Sequence, residues 1–259
     1  ACSKTHINVK HLNENLKIKA FTGRHMDQQL QQAVDQVITS RHSVRAFLDT
    51  PVDRKTLKEI LQVASRAPSG TNTQPWRVYV VQGRKRDALT EKVCTAQSAL
   101  FLNPELAKNY TETFPYYPEQ WLSPYIERRR ENGWGLYGLL KIQKGEKEKM
   151  AQQQLRNFKL FDAPVGLFFT VHKSLGIGSK MDIAMMIQNV MLAAKARGLD
   201  TCPQAAWNHF HSIVLSEVHA SSDEELVCGM ALGYADPDHI VNTFITPRVP
   251  VEDFAVFIE

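Results

Sequence analysis

The amino-acid sequence predicts an α+β fold in which helices cover a sheet. Helical apolar spacing occurs in more segments than strand-like patterns do, and the strand-like runs lie far apart in the chain. These runs, rich in β-branched and aromatic residues, are 78–81, 165–171 and 227–234. Because the 259 residues show no internal repeat and no low-complexity linker, one domain is the simplest organisation.

Helix boundaries are marked by capping residues and by proline. Asp27 can cap a first helix, and Asp53 can cap a second helix that ends at Pro68. The apolar residues of the first helix fall on one face: Leu30, Ala33, Val34, Val37 and Ile38. In the second helix, the apolar residues expected to point inward are Leu57, Ile60, Leu61, Ala64 and Ala67. Further helices are predicted over 87–97 and 181–197, and the latter is apolar nearly all round, which indicates burial on more than one side.

Three segments carry less regular patterns. Residues 103–149 form an aromatic-rich excursion that contains the run 128–130 of three arginines, and it is either a lid or partner-facing element or a surface subdomain with its own aromatic core. Glycines in the last strand indicate close approach by backbone or ligand. The irregular apolar spacing over 249–258 predicts an extended tail, of the kind often exchanged with a neighbouring subunit.

Composition limits the classes of function. A net charge of +4 without a basic stripe does not favour nucleic-acid binding, and no apolar run is long enough to cross a membrane. The four cysteines are widely spaced, which favours free thiols and a cytoplasmic protein. Residues 1–26 are polar, and we expect them to be a leader or an added extension, with Met26 as the natural start and a domain over 27–259.

Several well-known sites are absent from the sequence. It contains no phosphate-binding P-loop, no complete dinucleotide-binding glycine motif and no G-x-S-x-G nucleophile motif. His209 and His211 could lie on one strand face as metal ligands. Because no cysteine or carboxylate cluster completes such a site, we interpret them as structural histidines and expect no metal.

Two polar clusters remain as candidate binding elements. The run from Arg41 to Arg45 holds two guanidinium groups and the Ser43 hydroxyl, which suits a phosphate-like anion, with a solvated surface cluster as the alternative. The loop from Pro68 to Trp76 offers uncharged donors and acceptors. These groups either suit a heterocycle with alternating N–H and C=O edges or simply form turns.

These two clusters carry a family resemblance. The run 41–47 (RHSVRAF), followed by 67–76 (APSGTNTQPW), resembles the paired N-terminal signature of the FMN-dependent nitroreductase family. Further matches follow in the expected order and spacing: 198–204 (GLDTCPQ), 230–234 (MALGY) and 248–250 (RVP). The resemblance extends from Gln28 to the C-terminus. With the aromatic excursion and 203–207 (PQAAW), the chain is most similar to the branch that reduces nitrobenzene, nitrobenzoate and chloronitrobenzenes.

The resemblance implies a nitroreductase-like fold with a mostly antiparallel sheet, in an intertwined homodimer whose two FMN sites lie at the subunit interface. It implies an enzyme that reduces nitroaromatics from nitro to nitroso to hydroxylamine with NADH or NADPH, in a ping-pong mechanism. Because the flavin does the hydride chemistry, no protein residue is assigned as catalytic. A quinone or enone reductase, a reductive dehalogenase and a non-catalytic flavin-binding dimer remain alternatives.

The resemblance also assigns residues to the FMN site. Arg41 and Arg248 would hold the phosphate, Ser43 would support it and His42 would line the site. Arg45 would lie at the pyrimidine edge, where its charge favours the anionic reduced flavin. The residues along the ring and near its N5 atom would be Pro68, Ser69, Gly70, Pro203, Gln204, Ala205 and Ala206, with Asn72 contributed by the other subunit.

Two departures from the family pattern affect this site. Ala205-Ala206 stands where many relatives have Glu-Gly, so contacts to the flavin N5 would have to come from the backbone. Thr246 stands where some relatives have lysine, which makes phosphate binding more dependent on Arg41 and Arg248.

Overall fold

A computed structural model describes residues 28–259, which form seven α-helices and four strands. The helices are α1 (Gln28–Ser40), α2 (Arg54–Ala64), α3 (Gly83–Leu102), α4 (Tyr125–Leu139), α5 (Lys147–Phe158), α6 (Ile177–Lys195) and α7 (His211–Glu217). The strands are β1 (Arg77–Gln82), β2 (Val165–His172), β3 (Asp200–Gln204) and β4 (Glu224–Gly233). The chain divides into two compact units, 1–36 and 37–259, and of the first only residues 28–36 are described. The predicted cap Asp27 and the predicted extension 1–26 lie outside the described residues.

The strands form one antiparallel sheet in the order β1-β2-β4-β3. The three predicted strand-like runs lie in β1, β2 and β4, and the antiparallel arrangement is confirmed. Strand β2 is the buried centre, with every residue from Val165 to Val171 buried. Sequence patterns do not predict β3, because it contains Pro203, and proline has no N–H to donate to a neighbouring strand. The proline is tolerated because β3 lies at the edge of the sheet.

Helices cover both faces of the sheet, as expected for this class. Helices α2 and α6 pack on one face, where Ile60 and Ile183 are buried against β2. Helices α3, α5 and α7 lie on the other face, together with the fully buried Trp207 and Phe210. Helix α6 has seven buried residues along its length, which agrees with a helix buried on more than one side.

Helix α2 begins at its predicted cap. Asp53 accepts hydrogen bonds from the N–H (2.9 Å) and the hydroxyl (2.6 Å) of Thr56, and it thereby satisfies a donor of the first turn that has no partner within the helix. Helices α3 and α6 both start earlier than the predicted 87–97 and 181–197. Their first turns, GRKR and IGSK, are polar or glycine-containing and carry no apolar periodicity.

Two glycines of β4 allow close approach, as the sequence indicates. A Cβ atom at Gly229 would lie 2.6 Å from Cδ1 of Trp207, and one at Gly233 would lie 2.6 Å from Cδ of Pro164. The approaching groups are therefore side chains of the same chain. The contact between Gly229 and Trp207 places the 3-10 turn Ala205–Phe210 directly on the sheet.

The aromatic excursion contains the 3-10 helix Pro104–Asn109 and helix α4, and neither has a buried residue. Its rings form a surface cluster, in which Tyr117 contacts Tyr116 at 4.8 Å and Trp121 at 5.5 Å between ring centroids. Helix α4 touches the rest of the chain where Gly135 meets the ring of Phe244, 2.7 Å from the position of a Cβ atom. Most of the segment is exposed, while Tyr110 and Phe114 pack against the buried clusters on the two faces of the sheet.

His209 and His211 do not lie on a strand, so they do not share a strand face as metal ligands would. His209 lies in the 3-10 turn Ala205–Phe210 and His211 begins α7, because the chain bends sharply after β3 to seat Trp207 over Gly229. Across residues 28–259, no group of three or more His, Cys, Asp or Glu side chains could hold a metal ion. No helix in that range is long and apolar enough to cross a membrane.

Candidate functional site

The run Arg41–Arg45 leaves the end of α1 and passes along the free edge of β3. Ser43 forms a parallel bridge with Thr201, and the Val44 N–H donates to the Thr201 carbonyl at 3.2 Å. A segment near the start of the chain is thereby fixed beside residues 200–206. Two of the sequence clusters assigned to one site are thus neighbours in space.

Arg41 and Arg248 lie close enough for their charges to interact. Burial, and to a smaller degree the charge of Arg248, lowers the pKa of Arg41 from its ordinary value. Among the described residues that shift this pKa there is no carboxylate. Two guanidinium groups that approach each other without an intervening acid form a site for an anion with several oxygens, such as a phosphate.

Two polar atoms beside these arginines are buried without a hydrogen-bond partner among the described residues. They are Nε2 of His42 and Oγ1 of Thr201. Because a buried polar group without a partner costs about 1–3 kcal/mol, such atoms are uncommon and need an explanation. A bound ligand that accepts or donates hydrogen bonds would supply one.

Arg45 is held in place through its backbone. Its N–H and that of Ala46 donate to Oδ1 of Asn242 at 2.9 and 3.2 Å. Nδ2 of Asn242 donates to the carbonyls of Ala46 (2.8 Å) and Asp236 (2.9 Å), so that all its polar capacity is used. Nη2 of Arg156 donates to the Arg45 carbonyl at 3.2 Å. Among the described residues, the Arg45 guanidinium donates a hydrogen bond to the Ser43 carbonyl alone, at 3.1 Å.

Cys202 lies beneath this cluster. Burial raises the pKa of its thiol to about 11, although Arg45, the Ser43 hydroxyl and Arg41 act in the opposite direction. The thiol is therefore neutral at physiological pH. Cys202 of β3 therefore lies close to three of the predicted site residues, Arg41, Ser43 and Arg45.

The loop that follows α2 has a strained backbone. Thr71, Asn72 and Gln74 have φ values of 49°, 58° and 49°, in the left-handed region that non-glycine residues seldom adopt. The Gln74 N–H donates to Oγ of Ser69 at 3.0 Å. Such strain is common in ligand-binding loops, where the surrounding structure maintains it.

Asp182 anchors this loop to α6. Its Oδ2 accepts the Gly70 N–H at 3.2 Å. Pro68, Gly70 and Asn72 are exposed, and Ser69 is half-buried. The hydrogen bonds of the loop lead to α6 and not to Arg41–Arg45 within the described part of the chain. No hydrogen bond among the described residues therefore joins the loop to the run Arg41–Arg45, and we treat them as two groups of predicted site residues.

The end of β3 presents backbone rather than side chains. Gln204 is buried, with Nε2 donating to the Asn157 carbonyl at 2.6 Å and Oε1 accepting the Trp207 indole N–H at 3.4 Å. Its side chain is thus committed to packing. Ala206 is exposed and Ala205 and Pro203 are half-buried, so small groups and peptide atoms face outward here.

The structure places the predicted site residues in two groups. The first group, along the edge of β3, contains Arg41, His42, Ser43, Arg45, Pro203, Gln204, Ala205, Ala206 and Arg248. The second, against α6, contains Pro68, Ser69, Gly70 and Asn72. Sequence reasoning missed the supporting residues Asn242, Arg156 and Asp182, which are polar residues without a local motif. Only their distant hydrogen-bond partners reveal them.

The chain folds as an antiparallel sheet between helices, with the run Arg41–Arg45 beside the edge strand β3, and comparison with known proteins gives its family. A model described as the nitroreductase family matches residues 38–234. The chain is 38% identical to the 4-nitrobenzoate reductase of Pseudomonas putida, over 86% of this chain and 94% of the relative. It is 37% identical to the chloronitrobenzene nitroreductase of Comamonas testosteroni, over 87% and 96%. The chain belongs to the nitroreductase family.

Solved structures agree with this assignment. The FMN and NADPH-dependent nitroreductase NfnB from sphigopyxis sp. strain HMH superposes with a TM-score of 0.82 at 33% identity, over 87% of this chain and 99% of that one. The FMN-dependent nitroreductase NfnB from Mycobacterium smegmatis, in complex with NADPH, gives a TM-score of 0.82 at 30% identity, over 89% and 100%. The predicted fold and family are therefore confirmed.

Proposed function

We propose that this protein is an FMN-dependent nitroreductase that reduces small nitroaromatic compounds with NAD(P)H. The names of its relatives and neighbours support this function, because they act on nitrobenzoate and chloronitrobenzene or depend on FMN and NADPH. The proposal rests on two observations: the charge of Arg248 acts on Arg41, and the buried Nε2 of nearby His42 has no hydrogen-bond partner among the described residues.

The residues present fit FMN. Arg41 and Arg248 would hold the phosphate, with Ser43 supporting it and His42 lining the site. Nε2 of His42 and Oγ1 of Thr201 offer hydrogen-bonding capacity that the described residues leave unused. When bound, FMN would supply hydride transfer between the nicotinamide donor and the nitro group.

The protein's own residues would orient the flavin and set its charge environment. Arg45 would lie at the pyrimidine edge, where a fixed cation stabilises negative charge on the reduced ring. The backbone at Ala205 and Ala206 would contact the region of N5, while Pro68, Ser69 and Gly70 would lie along the ring. No side chain is assigned as general acid, and solvent can supply the protons.

A homodimer would bring the two groups of site residues together. Within a subunit the 68–72 loop sits against α6, so Asn72 of one subunit could complete the site of the other. Apolar residues four apart on α6, Ile177, Met181 and Met185, are exposed in the single chain and offer an interface. We further propose that the enzyme is cytoplasmic, in agreement with its widely spaced cysteines, and that 1–26 is an extension preceding the 27–259 domain.

The visible spectrum tests this function. Purified protein should carry bound flavin that NADPH or NADH bleaches without oxygen and that nitrobenzene then reoxidises. Bound flavin that neither donor bleaches would instead favour a flavin-storage or flavin-sensing dimer. Steady-state rates with nitrobenzene, a quinone and a halogenated phenol would distinguish nitro reduction from the reductase and dehalogenase alternatives, since one donor serves all three.

A further inference from the structure

A second cleft lies beside α4, away from the residues assigned to FMN. Its volume is about 490 Å³, a size in the range of small-molecule sites. The lining includes the cations Arg129, Arg130 and Lys144 and the rings of Tyr117, Trp134 and Tyr137. Neither the family assignment nor the proposed FMN site uses these side chains.

The cleft is positively charged. No carboxylate is among the described residues that line it. Glu131, between Arg130 and Asn132 in sequence, lines the neighbouring cleft rather than this one. Glu146, two residues from Lys144, accepts the Gln143 N–H at 2.7 Å and a hydrogen bond from Lys149 at 2.6 Å, so its charge is already compensated. The Arg129 guanidinium lies 5.0 Å from the centre of the Trp121 ring and is thereby held at the surface. Such a site favours an anion.

The rings give the cleft flat apolar surfaces. Trp134 is 69% exposed, which is unusual for so large an apolar side chain, and Tyr117 is also exposed. Tyr137 is half-buried, and burial raises the pKa of its hydroxyl. A planar aromatic group could stack on these rings, while the three cations contact phosphate oxygens.

The cleft adjoins the flavin-site segment. Helix α4 packs on residues 240–250, with Gly135 against Phe244. A larger cleft of about 830 Å³ on that side is lined by Arg128, Asn132 and Arg248. Asn132 lines both clefts, which therefore meet at one helix. A long ligand could reach from the flavin region to the cationic cleft.

We propose that this cleft binds the adenosine 2′-phosphate end of NADPH and makes the enzyme prefer NADPH over NADH. The inference rests on the proposed function, since it concerns the donor of that reaction. The adenine would lie against Trp134 or Tyr137, and the 2′-phosphate would contact Arg130 and Lys144. NADH carries the same adenine but has no 2′-phosphate for the cations to hold.

Calorimetry on the FMN-loaded protein tests the cleft directly. The probes are adenosine 2′,5′-bisphosphate, adenosine 5′-monophosphate and inorganic phosphate. The bisphosphate should bind about 10- to 100-fold more tightly than the monophosphate, because one additional phosphate gains charge-assisted hydrogen bonds. Equal binding of all three probes, or binding of none, would overturn the proposal.

Variants then locate the binding to this cleft. Arg130→Gln and Lys144→Gln should each weaken bisphosphate binding and lower kcat/KM for NADPH by about 10-fold, with kcat/KM for NADH unchanged. The matched control Arg84→Gln removes an exposed arginine of α3 and should change neither. Equal loss with both donors, or no loss with NADPH, would refute the assignment.

Failure of the proposed NADPH cleft can be distinguished from failure of the proposed nitroreductase function. If neither donor bleaches the flavin, the nitroreductase function fails, while calorimetry still reports on the cleft. If NADH bleaches the flavin and the bisphosphate does not bind, only the donor cleft fails. Because the substitutions lie on an exposed helix and loop, an unchanged melting temperature would verify that each variant is folded.

Discussion

Asn242 fixes the backbone of Arg45 and Ala46 by three hydrogen bonds between 2.8 and 3.2 Å, and a fourth, at 2.9 Å, joins it to the Asp236 carbonyl. Its amide has donors and an acceptor in the arrangement that the backbone at Ala46 requires, so neither an acid nor a hydrophobic residue replaces it. The Arg45 guanidinium makes one hydrogen bond, to the Ser43 carbonyl. The backbone of Arg45, rather than its side chain, is the anchored part.

Arg45→Ala should lower the flavin reduction potential, since the cation that stabilises the reduced anionic ring is lost. We expect a change on the order of tens of millivolts, from a loss of about 1–2 kcal/mol of electrostatic stabilisation. Redox titration of the FMN-bound protein measures it. An unchanged potential with FMN still bound would contradict the role given to Arg45.

Asn242→Ala should lower the same potential through displacement of Arg45. It should also destabilise the fold by about 1–3 kcal/mol, because the freed backbone groups are partly buried. In the double variant with Arg45→Ala the potential should fall no further than in Arg45→Ala alone. Additive potential shifts would show that Asn242 does not act through Arg45.

Cys202 should resist alkylation in the folded protein. The thiolate is the reactive form, and a pKa raised to about 11 makes it scarce at pH 8. The neutral thiol favours the folded state up to the unfolded pKa of about 8.5, and that contribution is lost as the pH rises toward 11. Peptide mass spectrometry after iodoacetamide treatment, with and without denaturant, measures the difference. Rapid labelling of native Cys202 at pH 8 would contradict it.

Among the elements, strand β4 and the turn after β3 are joined by one close contact. The indole of Trp207 lies where a Cβ atom of Gly229 would be, and the same indole bonds to Gln204. The peptides of Ala205 and Ala206 lie between these two anchors. The position of the turn therefore depends on the absence of a side chain at Gly229.

Gly229→Ala should destabilise the protein by about 1–3 kcal/mol and weaken FMN binding, because Trp207 must move and the 205–206 peptides move with it. Thermal melting and fluorescence titration with FMN measure the two effects. Gly133→Ala is the control, since a Cβ atom there meets no atom within 4 Å and alanine favours a helix. Equal behaviour of the two variants would show that the contact is not restrictive.

The elements also show what the sequence predicts and what it does not. The spacing of apolar residues and the capping residues predict β1, β2, β4, α2 and α6, because these patterns involve residues that are close in sequence. Strand β3 does not follow, since its five residues include Asp200 and Pro203, which are poor strand formers away from an edge. The arginines and the 68–72 loop form recognisable motifs. Asn242 and Asp182 do not, because their partners are distant in sequence.

At the scale of the whole molecule, one apolar stripe on α6 is left uncovered by the other residues that the structure describes. Ile177, Met181 and Met185 lie four residues apart on α6, and Met181 is 65% exposed. The C-terminal residues Phe257 and Ile258 are also exposed. Contiguous apolar surface of this kind is typical of a subunit interface.

The double variant Met181→Glu, Met185→Glu should abolish dimerisation and FMN binding together, since charges buried at an interface without partners are strongly unfavourable. Light scattering should give a mass near the 29.4 kDa of one chain rather than twice that value. Leu102→Glu, which places a charge at an exposed apolar residue of α3, should leave the dimer intact. A dimer that survives the double variant would refute this interface.

The Asn242–Arg45 contact also has a consequence for biosynthesis. The two residues are 197 positions apart, so the ribosome makes Arg45 roughly 10–40 s before Asn242 at about 5–20 residues per second. During that interval the nascent chain lacks both Asn242 and Arg248. If Arg41 and Arg248 hold the FMN phosphate as proposed, cofactor capture would follow synthesis of Arg248, and a translation product interrupted before that residue would remain colourless.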